Sequence, residues 1–535
     1  MRTEILLGDE AAALGALHAG IGGSFAYPGT PATELQEYMF LMKRNYPGVY
    51  IEWSANEKAA YEAALGMSYI WKRAIVSMKH VGLNVAADAF INSAVTGVNA
   101  GMVIMVADDP GMHSSQNEQD SRFYAEFARV PCFEPSNQQE AYDMTLEAFR
   151  FSEEVKLPVM IRLVTRLAHS RAIITTETPV KHTPLKKGHD WKKWTLLPAN
   201  ARFRFQKLTE LQPELAAYSN KSAFQKLSIP ENGASTGVIA SGIGYNYLME
   251  NSDLASLPIL KIGVYPLPGN LLKSLTRNLA EVMIIENGYP FVESRLQSIV
   301  QNPSLKVRGR LTGDLPATGE LTPDLVRKAF GKKTKQPAFT VPENLVVNRP
   351  PRLCDGCAHK EVYNILDEIR EEFPEMTVFS DIGCYTLGAL RTPPSIESCV
   401  CMGASVGMAK GAANGGLTYS VAVIGDSTFL HSGIPTLLKA AGDNSPFTII
   451  ILDNGTVGMT GGQDVPIPGE RIEKFVAALG VPEEHVKVLI PIRIHHEKNV
   501  QIMREELKYR GLSVIIARRE CIQLVKTKLK KQKKS

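Results

Sequence analysis

From Gly8 to about residue 170, stretches with apolar residues at helical spacing alternate with short apolar runs at Gly22 to Tyr27, Ala74 to Met78, Gly101 to Val106 and Val159 to Leu163. Runs too short for a buried helix and bounded by turn residues read as strands, and their alternation with helices predicts a parallel sheet in an α/β domain. The pattern returns from Thr236 to about Lys332, with runs at Gly237 to Ala240, Leu260 to Val264 and Glu281 to Ile285. Between these, residues 171–234 lose the alternation and gather Lys, Arg, Pro and Trp, including Trp191-Lys192-Lys193-Trp194, which reads as a long linker with some helix. A Pro- and Lys-rich stretch from Lys332 to Pro351 leads into a third α/β segment that ends near Val525. The expected organisation is α/β, with three doubly wound parallel-sheet domains at 1–170, 235–332 and 351–525, linkers at 171–234 and 333–350, and a basic tail at 526–535.

The third segment carries the clearest chemistry. Gly425-Asp426-Ser427 follows the apolar run Val421 to Ile424, and Asp453-Asn454-Gly455 follows the run Phe447 to Leu452. Leu430 to Ala441, between them, has helical spacing, so the stretch predicts strand, helix, strand joined by a right-handed crossover. Both turns then lie outside the carboxyl ends of parallel strands, where open α/β sheets bind ligands. An Asp carboxylate and an Asn amide oxygen there suit a hard cation such as Mg²⁺, which takes few protein oxygens and completes its shell with substrate phosphates. Either turn alone is equally an ordinary strand-end turn, since Asp, Asn and Gly favour turns for local reasons.

Composition narrows the setting. A chain of 535 residues has room for about three or four domains. Its apolar stretches fall short of the roughly eighteen residues of a membrane helix, and Glu4, Asp9 and Glu10 interrupt a leader pattern, so a cytoplasmic protein without membrane contact is expected. A net charge of +4 gives no reason to expect nucleic acid. Lys526, Lys528, Lys530, Lys531, Lys533 and Lys534 form a basic block, read as a solvated tail or as a docking arm for an acidic partner. Gly242-Ile243-Gly244 opens a dinucleotide fingerprint, but Tyr247 stands where its last glycine belongs. Seven cysteines are too sparse for a disulfide framework, so clustered ones read as metal or redox ligands.

Gly-Asp-Ser, then twenty-six residues, then Asn resembles the diphosphate motif of thiamine diphosphate enzymes. Longer words go further: Leu452-Asp453-Asn454-Gly455-Thr456-Val457-Gly458-Met459-Thr460-Gly461-Gly462-Gln463 resembles 2-oxoacid:ferredoxin oxidoreductases, and within them indolepyruvate oxidoreductase alpha subunits. Tyr27 to Pro31, Trp53 to Lys58, Lys79 to Asn84, His113 to Asp120, Leu353 to Cys357 and Cys401 to Ser405 match family stretches as well. The resemblance implies domains of the thiamine diphosphate enzyme type: a pyrimidine-binding domain at 1–170, a transketolase C-terminal-like domain at 235–332 and a diphosphate-binding domain at 351–525. The cofactor in this family often sits across a dimer interface.

The resemblance also implies roles. Asp426, Asn454 and the Thr456 carbonyl would hold Mg²⁺, and Gly425, Ser427, Gly403, Gly458 and Met459 would line the cofactor. Met402 would be the apolar wedge that bends it, although Met is commonly plain core filler. Glu57 would sit beside the pyrimidine N1′ and set its tautomer; the competing reading is a capping box, Ser54-x-x-Glu57, ahead of the helix Ala59 to Tyr69. Thr30 would lie near the substrate's carbonyl or carboxylate. His80, His113 and His431 read either as proton carriers or as structural histidines, with His80 and His113 favoured by the family words around them.

Cys354-x-x-Cys357, Cys384 and Cys521 stand where sister oxidoreductases hold a [4Fe-4S] cluster, while the same spacing also suits a zinc or redox pair. Cys132, Cys399 and Cys401 show no partner pattern. Two departures stand out: Asp355 and Ala358 replace prolines common in the family, and the sequence ends in lysines where the family's ferredoxin-like domain is expected. Electrons would then leave through the single cluster, a separate ferredoxin subunit or a docked acceptor. The implied function is oxidative decarboxylation of a 2-oxo acid, an aryl pyruvate such as indolepyruvate, to an acyl-coenzyme A. A smaller beta (gamma-like) subunit, ferredoxin and a dimer or heterotetramer are the implied partners. The alternatives are a non-oxidative decarboxylase or carboligase, and a non-catalytic scaffold subunit.

Overall fold

The computed structural model describes residues 2–181, 184–186, 191–230, 233–334, 342, 345, 350–467 and 469–532. Lys533 and Lys534 of the basic block lie outside the described residues, as does most of 333–350. The chain divides into two compact units, Met1–Phe339 and Thr340–Ser535.

The first unit is built on a seven-stranded sheet in the order Val264–Tyr265, Cys132–Phe133, Val159–Val164, Met102–Asp108, Ala74–Lys79, Gly23–Ala26, Tyr50–Trp53. All neighbours are parallel except the first pair. The central strands are buried along their whole length, which is why they read as unbroken apolar runs. A second sheet, in the order Lys306–Arg308, Glu281–Ile285, Thr236–Ser241, Ile259–Ile262, Lys226–Ser228, is parallel except at its last strand. Past Gly263 the chain leaves Ile259–Ile262 to supply the edge strand Val264–Tyr265 of the first sheet, and one continuous core runs through both. Fully buried Arg122 and Arg162 join the two sheets' segments. Arg122 pairs with Asp120 and, at 2.9 Å, with Glu286, and Arg162 pairs with Asp108 at 2.6 Å and with Glu134.

Residues 171–234 are structured at several points. Arg171–Thr176 pairs antiparallel with Arg2–Leu7, a two-stranded sheet that joins residues far apart in the chain. Pro198–Lys221 is a helix of 24 residues whose Leu208 and Leu215 enter the core. Arg204 of this helix donates to the carbonyls of Val95 and Thr96, capping the helix His80–Thr96, and Trp194 stacks on Tyr69 with centroids 4.4 Å apart.

The second unit holds one fully parallel six-stranded sheet in the order Ser398–Cys399, Thr377–Ser380, Ser420–Gly425, Thr448–Asp453, Ser513–Arg518, Val486–Leu489. Separate apolar clusters cover its two faces, so the sheet is doubly wound. The crossover between the metal-turn strands is helical as expected, with one irregularity. Asp426–Thr428 opens a helix that widens into a π-turn at Phe429–Gly433 before continuing as Ile434–Asp443. Pro435 has no N–H to donate and its ring crowds the preceding turn, which accounts for the widening. Among the described residues, no helix is long and apolar enough to cross a membrane.

Candidate cofactor and substrate site

In the second unit, Asp426 and Asn454 do stand at the ends of adjacent parallel strands, Ser420–Gly425 and Thr448–Asp453. Asp426 is buried, and its carboxylate accepts from the N–H of Ser427 and, across the gap between strands, from the N–H of Gly455, both at 2.8 Å. Its pKa is pushed up to about 7, by burial first and by the neighbouring carboxylate of Asp453, while the two N–H groups oppose the shift. Arg518, a nearby cation, sits on Asp453 at 2.6 Å. A buried carboxylate in that position fits a divalent cation, which would hold it ionised. Asn454 accepts from the N–H of Thr456 at 2.9 Å, and the Thr456 hydroxyl donates to the carbonyl of Gln463, so the turn carrying the Asn454 and Thr456 oxygens is braced.

Gly403 faces this region. Its φ of +83° and the approach of Ser432, whose Cβ a Gly403 Cβ would meet at 2.7 Å, require glycine there. Met402, beside it, is half-buried, whereas Met459 is 51% exposed. Asp381, a residue the sequence reading passed over, is buried close by. It accepts from Ser405 at 2.6 Å and from Tyr385, and burial lifts its pKa to about 6. His431 is buried with Nδ1 2.5 Å from the Ser432 hydroxyl.

Cys354, Cys357, Cys384 and Cys521 line one cavity of about 90 Å³ together with Asn454, Gly458 and buried His359. The Cys521 N–H donates to the Asn454 carbonyl at 3.0 Å, so the cavity and the metal turn share a wall. None of the four is in a disulfide. A tetrahedral zinc would bring its thiolates about 3.8 Å apart. Among the described residues the only three His, Cys, Asp or Glu ligand atoms within 4.8 Å of one another belong to Asp9, Glu34 and His169. The cysteines surround a space larger than one ion needs. Burial raises the Cys384 thiol to about 11, and it drives the His359 imidazole down to about 4.

In the first unit, Glu57 begins the helix Glu57–Tyr69 and is 5% exposed. The capping-box alternative does not hold. Asn56 is the cap, accepting from the Ala59 N–H at 2.8 Å, while the Ser54 hydroxyl turns to Glu52. The Glu57 carboxylate instead packs on Gly82, in the first turn of His80–Thr96, where a Cβ would come within 2.5 Å of its Oε1. Gly82 therefore makes room for this carboxylate beside a helix N-terminus. Thr30, half-buried, lies at the end of Gly23–Ala26 and its loop, and its carbonyl accepts from the Ser114 hydroxyl at 3.2 Å. His80 is 1% exposed and neither ring nitrogen has a hydrogen-bond partner among the described residues. His113 is half-exposed beside Glu320. Lys79, Asp109 and Ser114, at or just beyond the carboxyl ends of adjacent strands, complete this group, and sequence reading assigned none of them a role.

The family described as thiamine pyrophosphate enzyme, C-terminal TPP binding domain, matches residues 381–515. A second, described as pyruvate flavodoxin/ferredoxin oxidoreductase, thiamine diphosphate-binding, matches residues 14–213. Almost the whole chain is similar to indolepyruvate oxidoreductase subunit IorA of Archaeoglobus fulgidus, at 37% identity over 96% of this chain and 86% of that protein. The subunit of the same name from Thermococcus kodakarensis is 37% identical over 97% of this chain and 85% of its own length. That of Methanothermobacter thermautotrophicus is 35% identical over 97% and 86%.

Proposed function

Because the chain belongs to the family of indolepyruvate oxidoreductase subunit IorA, we propose that it catalyses thiamine diphosphate-dependent oxidative decarboxylation of a 2-oxo acid, an aryl pyruvate such as indolepyruvate. Coenzyme A takes the acyl group and ferredoxin the electrons. The observation that carries this reading is the pair Asp426 and Asn454, set at one sheet edge in a chain aligned almost end to end with these relatives. Thiamine diphosphate, when bound, supplies the nucleophilic carbon and the electron sink that side chains lack.

The chain's own residues bind and orient. Residues 351–525 form the diphosphate-binding domain, where Asp426, Asn454 and the Thr456 carbonyl hold Mg²⁺, Gly425, Ser427, Gly403, Gly458 and Met459 line the cofactor, and Met402 supports it. Residues 1–170 form the pyrimidine-binding domain, in which Glu57 would hold a proton against the cofactor's N1′, Thr30 would contact the substrate, and His80 would move a proton. Residues 235–332 form the third domain. Cys354, Cys357, Cys384 and Cys521 would hold a [4Fe-4S] cluster beside the Asn454 turn, and such a cluster would supply a one-electron carrier there. The relatives are named as subunits, which supports assembly with a second chain; a smaller partner, a dimer of such pairs and a cytoplasmic setting belong to the same proposal.

The test is anaerobic co-purification with the second chain, iron and sulfide analysis, and indolepyruvate turnover with coenzyme A and ferredoxin. About four irons per chain and ferredoxin reduction tied to carbon dioxide release are expected. Carbon dioxide release without ferredoxin reduction would replace this reading with a non-oxidative decarboxylase.

A further inference from the structure

The ammonium of Lys79 is buried, with the residue 8% exposed, at the carboxyl end of the strand Ala74–Lys79. Its stem runs beside Gly29, where a Cβ would lie 3.1 Å from the Lys79 Cβ, so the Tyr27–Pro31 loop passes over it. Nζ donates to the Ser114 carbonyl at 2.7 Å and reaches the Ser114 hydroxyl at 3.5 Å. That hydroxyl also bonds the Thr30 carbonyl. An ammonium has three N–H groups, and one well-formed bond with one long contact leaves part of its capacity unused.

Among the described residues Lys79 has no ion pair. The negative charge that acts on it is Asp109, whose carboxylate is already taken up by the Ser115 hydroxyl at 2.6 Å, the Thr165 hydroxyl at 2.6 Å and the Ser114 N–H at 2.8 Å. A buried charge without a contact partner is costly, and burial drives the Lys79 pKa down to about 8, with Asp109 opposing. The ammonium is still the major form at neutral pH. An anion of the right reach would relieve the cost.

Two neighbours say which anion. Three residues on, Gly82 cradles the Glu57 carboxylate, so one strand end and the helix turn after it hold both a cation and the carboxylate assigned to the cofactor. Thr30, assigned to the substrate, is bonded to the same serine as Lys79. We propose that Lys79 is the cation that binds the carboxylate of the 2-oxo acid, holding it while the adjacent carbonyl reacts. This rests on the function proposed above. Because the contact forms in the ground state and the carboxylate then departs, its loss appears in KM more than in kcat.

The test uses the full complex with Lys79→Met, Lys79→Gln and Lys79→Arg, each checked for an unchanged melting temperature. With phenylpyruvate, Lys79→Met should raise KM roughly 10- to 100-fold, the usual weight of a charged hydrogen bond, and leave kcat within a few-fold. Lys79→Arg should recover part of the loss. Affinity for 3-phenylpropionate, which has the carboxylate but no reactive carbonyl, is measured by calorimetry without thiamine diphosphate and should fall by a similar factor. If Lys79→Met does not fold, Lys79→Gln carries the same expectation. KM and phenylpropionate affinity within twofold of wild type would overturn the assignment, as would a kcat loss with both unchanged. If wild type oxidises no 2-oxo acid yet binds phenylpropionate through Lys79, the subsite stands and the proposed reaction falls.

Discussion

Replacing Gly82 by alanine tests whether the position of the Glu57 carboxylate governs catalysis. A Cβ at position 82 would lie 2.5 Å from Glu57 Oε1, 2.6 Å from its Cγ and 2.8 Å from its Cδ. Ordinary contact begins near 3.4 Å, so the carboxylate must retreat by roughly 1 Å, and Glu57, 5% exposed, has little room to do so. In a helix, alanine is favoured over glycine by about 1 kcal/mol, whereas overpacking a filled site costs about 1–3 kcal/mol. The net effect on stability is therefore small and unfavourable. The effect on rate is larger, because displacing a catalytic group by about 1 Å costs on the order of 100-fold. Gly66 supplies the control. It lies in the same helix as Glu57, is exposed, and has nothing within 4 Å of its Cβ position. Gly66→Ala should raise the melting temperature and leave turnover unchanged. Gly82→Ala should lower turnover of an aryl pyruvate by about 100-fold, with the melting temperature shifted by only a few degrees. Turnover within threefold of wild type for Gly82→Ala would refute the claim that Glu57 works from where Gly82 lets it sit.

Three further outcomes follow from other contacts. Asp426→Asn removes the buried charge that a cation would balance, so the Mg²⁺-dependent affinity for thiamine diphosphate, measured by fluorescence quenching, should weaken roughly 10- to 100-fold; an unchanged affinity would move the metal elsewhere. Asp9 is fully buried with no well-formed hydrogen bond to either oxygen among the described residues, and burial, reinforced by Glu34 and opposed by the Leu35 N–H, holds its pKa well above the ordinary carboxylate value. Between that ordinary value of about 3.9 and its folded pKa the native state binds more protons than the unfolded state, so stability falls as pH rises, by about 1.4 kcal/mol for each tenfold gain in proton affinity. Asp9→Asn should therefore gain more over wild type in melting temperature at pH 8 than at pH 5, and an equal gain at both would contradict the account. Arg162→Met strands buried Asp108, takes one of two arginines from Glu134, and should cost about 3–5 kcal/mol in chemical denaturation of the first unit.

How much of this was legible in the sequence depends on where each constraint resides. Parallel strands buried on both faces need unbroken apolar runs, so Ala74–Lys79, Met102–Asp108 and Thr448–Asp453 announced themselves. The helix Pro198–Lys221 did not, since only Leu208, Leu215 and Ser219 are buried along its 24 residues and its hold on the unit comes from Arg204 meeting the carbonyls of another helix. Arg2–Leu7 and Arg171–Thr176 are recognisable as strands only once paired, because Ile5 and Ile173 remain exposed on them. At Glu57 the local pattern favoured a capping box, and the true cap, Asn56, lay one residue away. Local spacing alone could not separate a glutamate serving its own helix from one leaning on Gly82.

The charged residues around these sites share a position, whether the sequence pointed to them, as at Asp426, or gave them no role, as at Lys79, Asp108 and Asp109. Lys79 and Asp108 close fully buried strands of the first unit, Asp453 closes one in the second, and Asp426 and Asp109 follow such strands by one residue. A charged side chain at the carboxyl end of a strand that is otherwise apolar is costly unless it is paired. Arg162 pairs Asp108, and Arg518 pairs Asp453. Asp109 is answered by hydroxyls and an N–H. Lys79 and Asp426, like Asp109, have hydrogen bonds to neutral groups only among the described residues, but with fewer of them: two N–H groups on Asp426, one carbonyl and one long contact to a hydroxyl on Lys79. An apolar run that ends in a charge marks where to look, but whether the charge is already neutralised depends on partners tens of residues away. That remainder is what separates a strand-end charge that stabilises the fold from one kept for a ligand, and it places Lys79 and Asp426 in the second group.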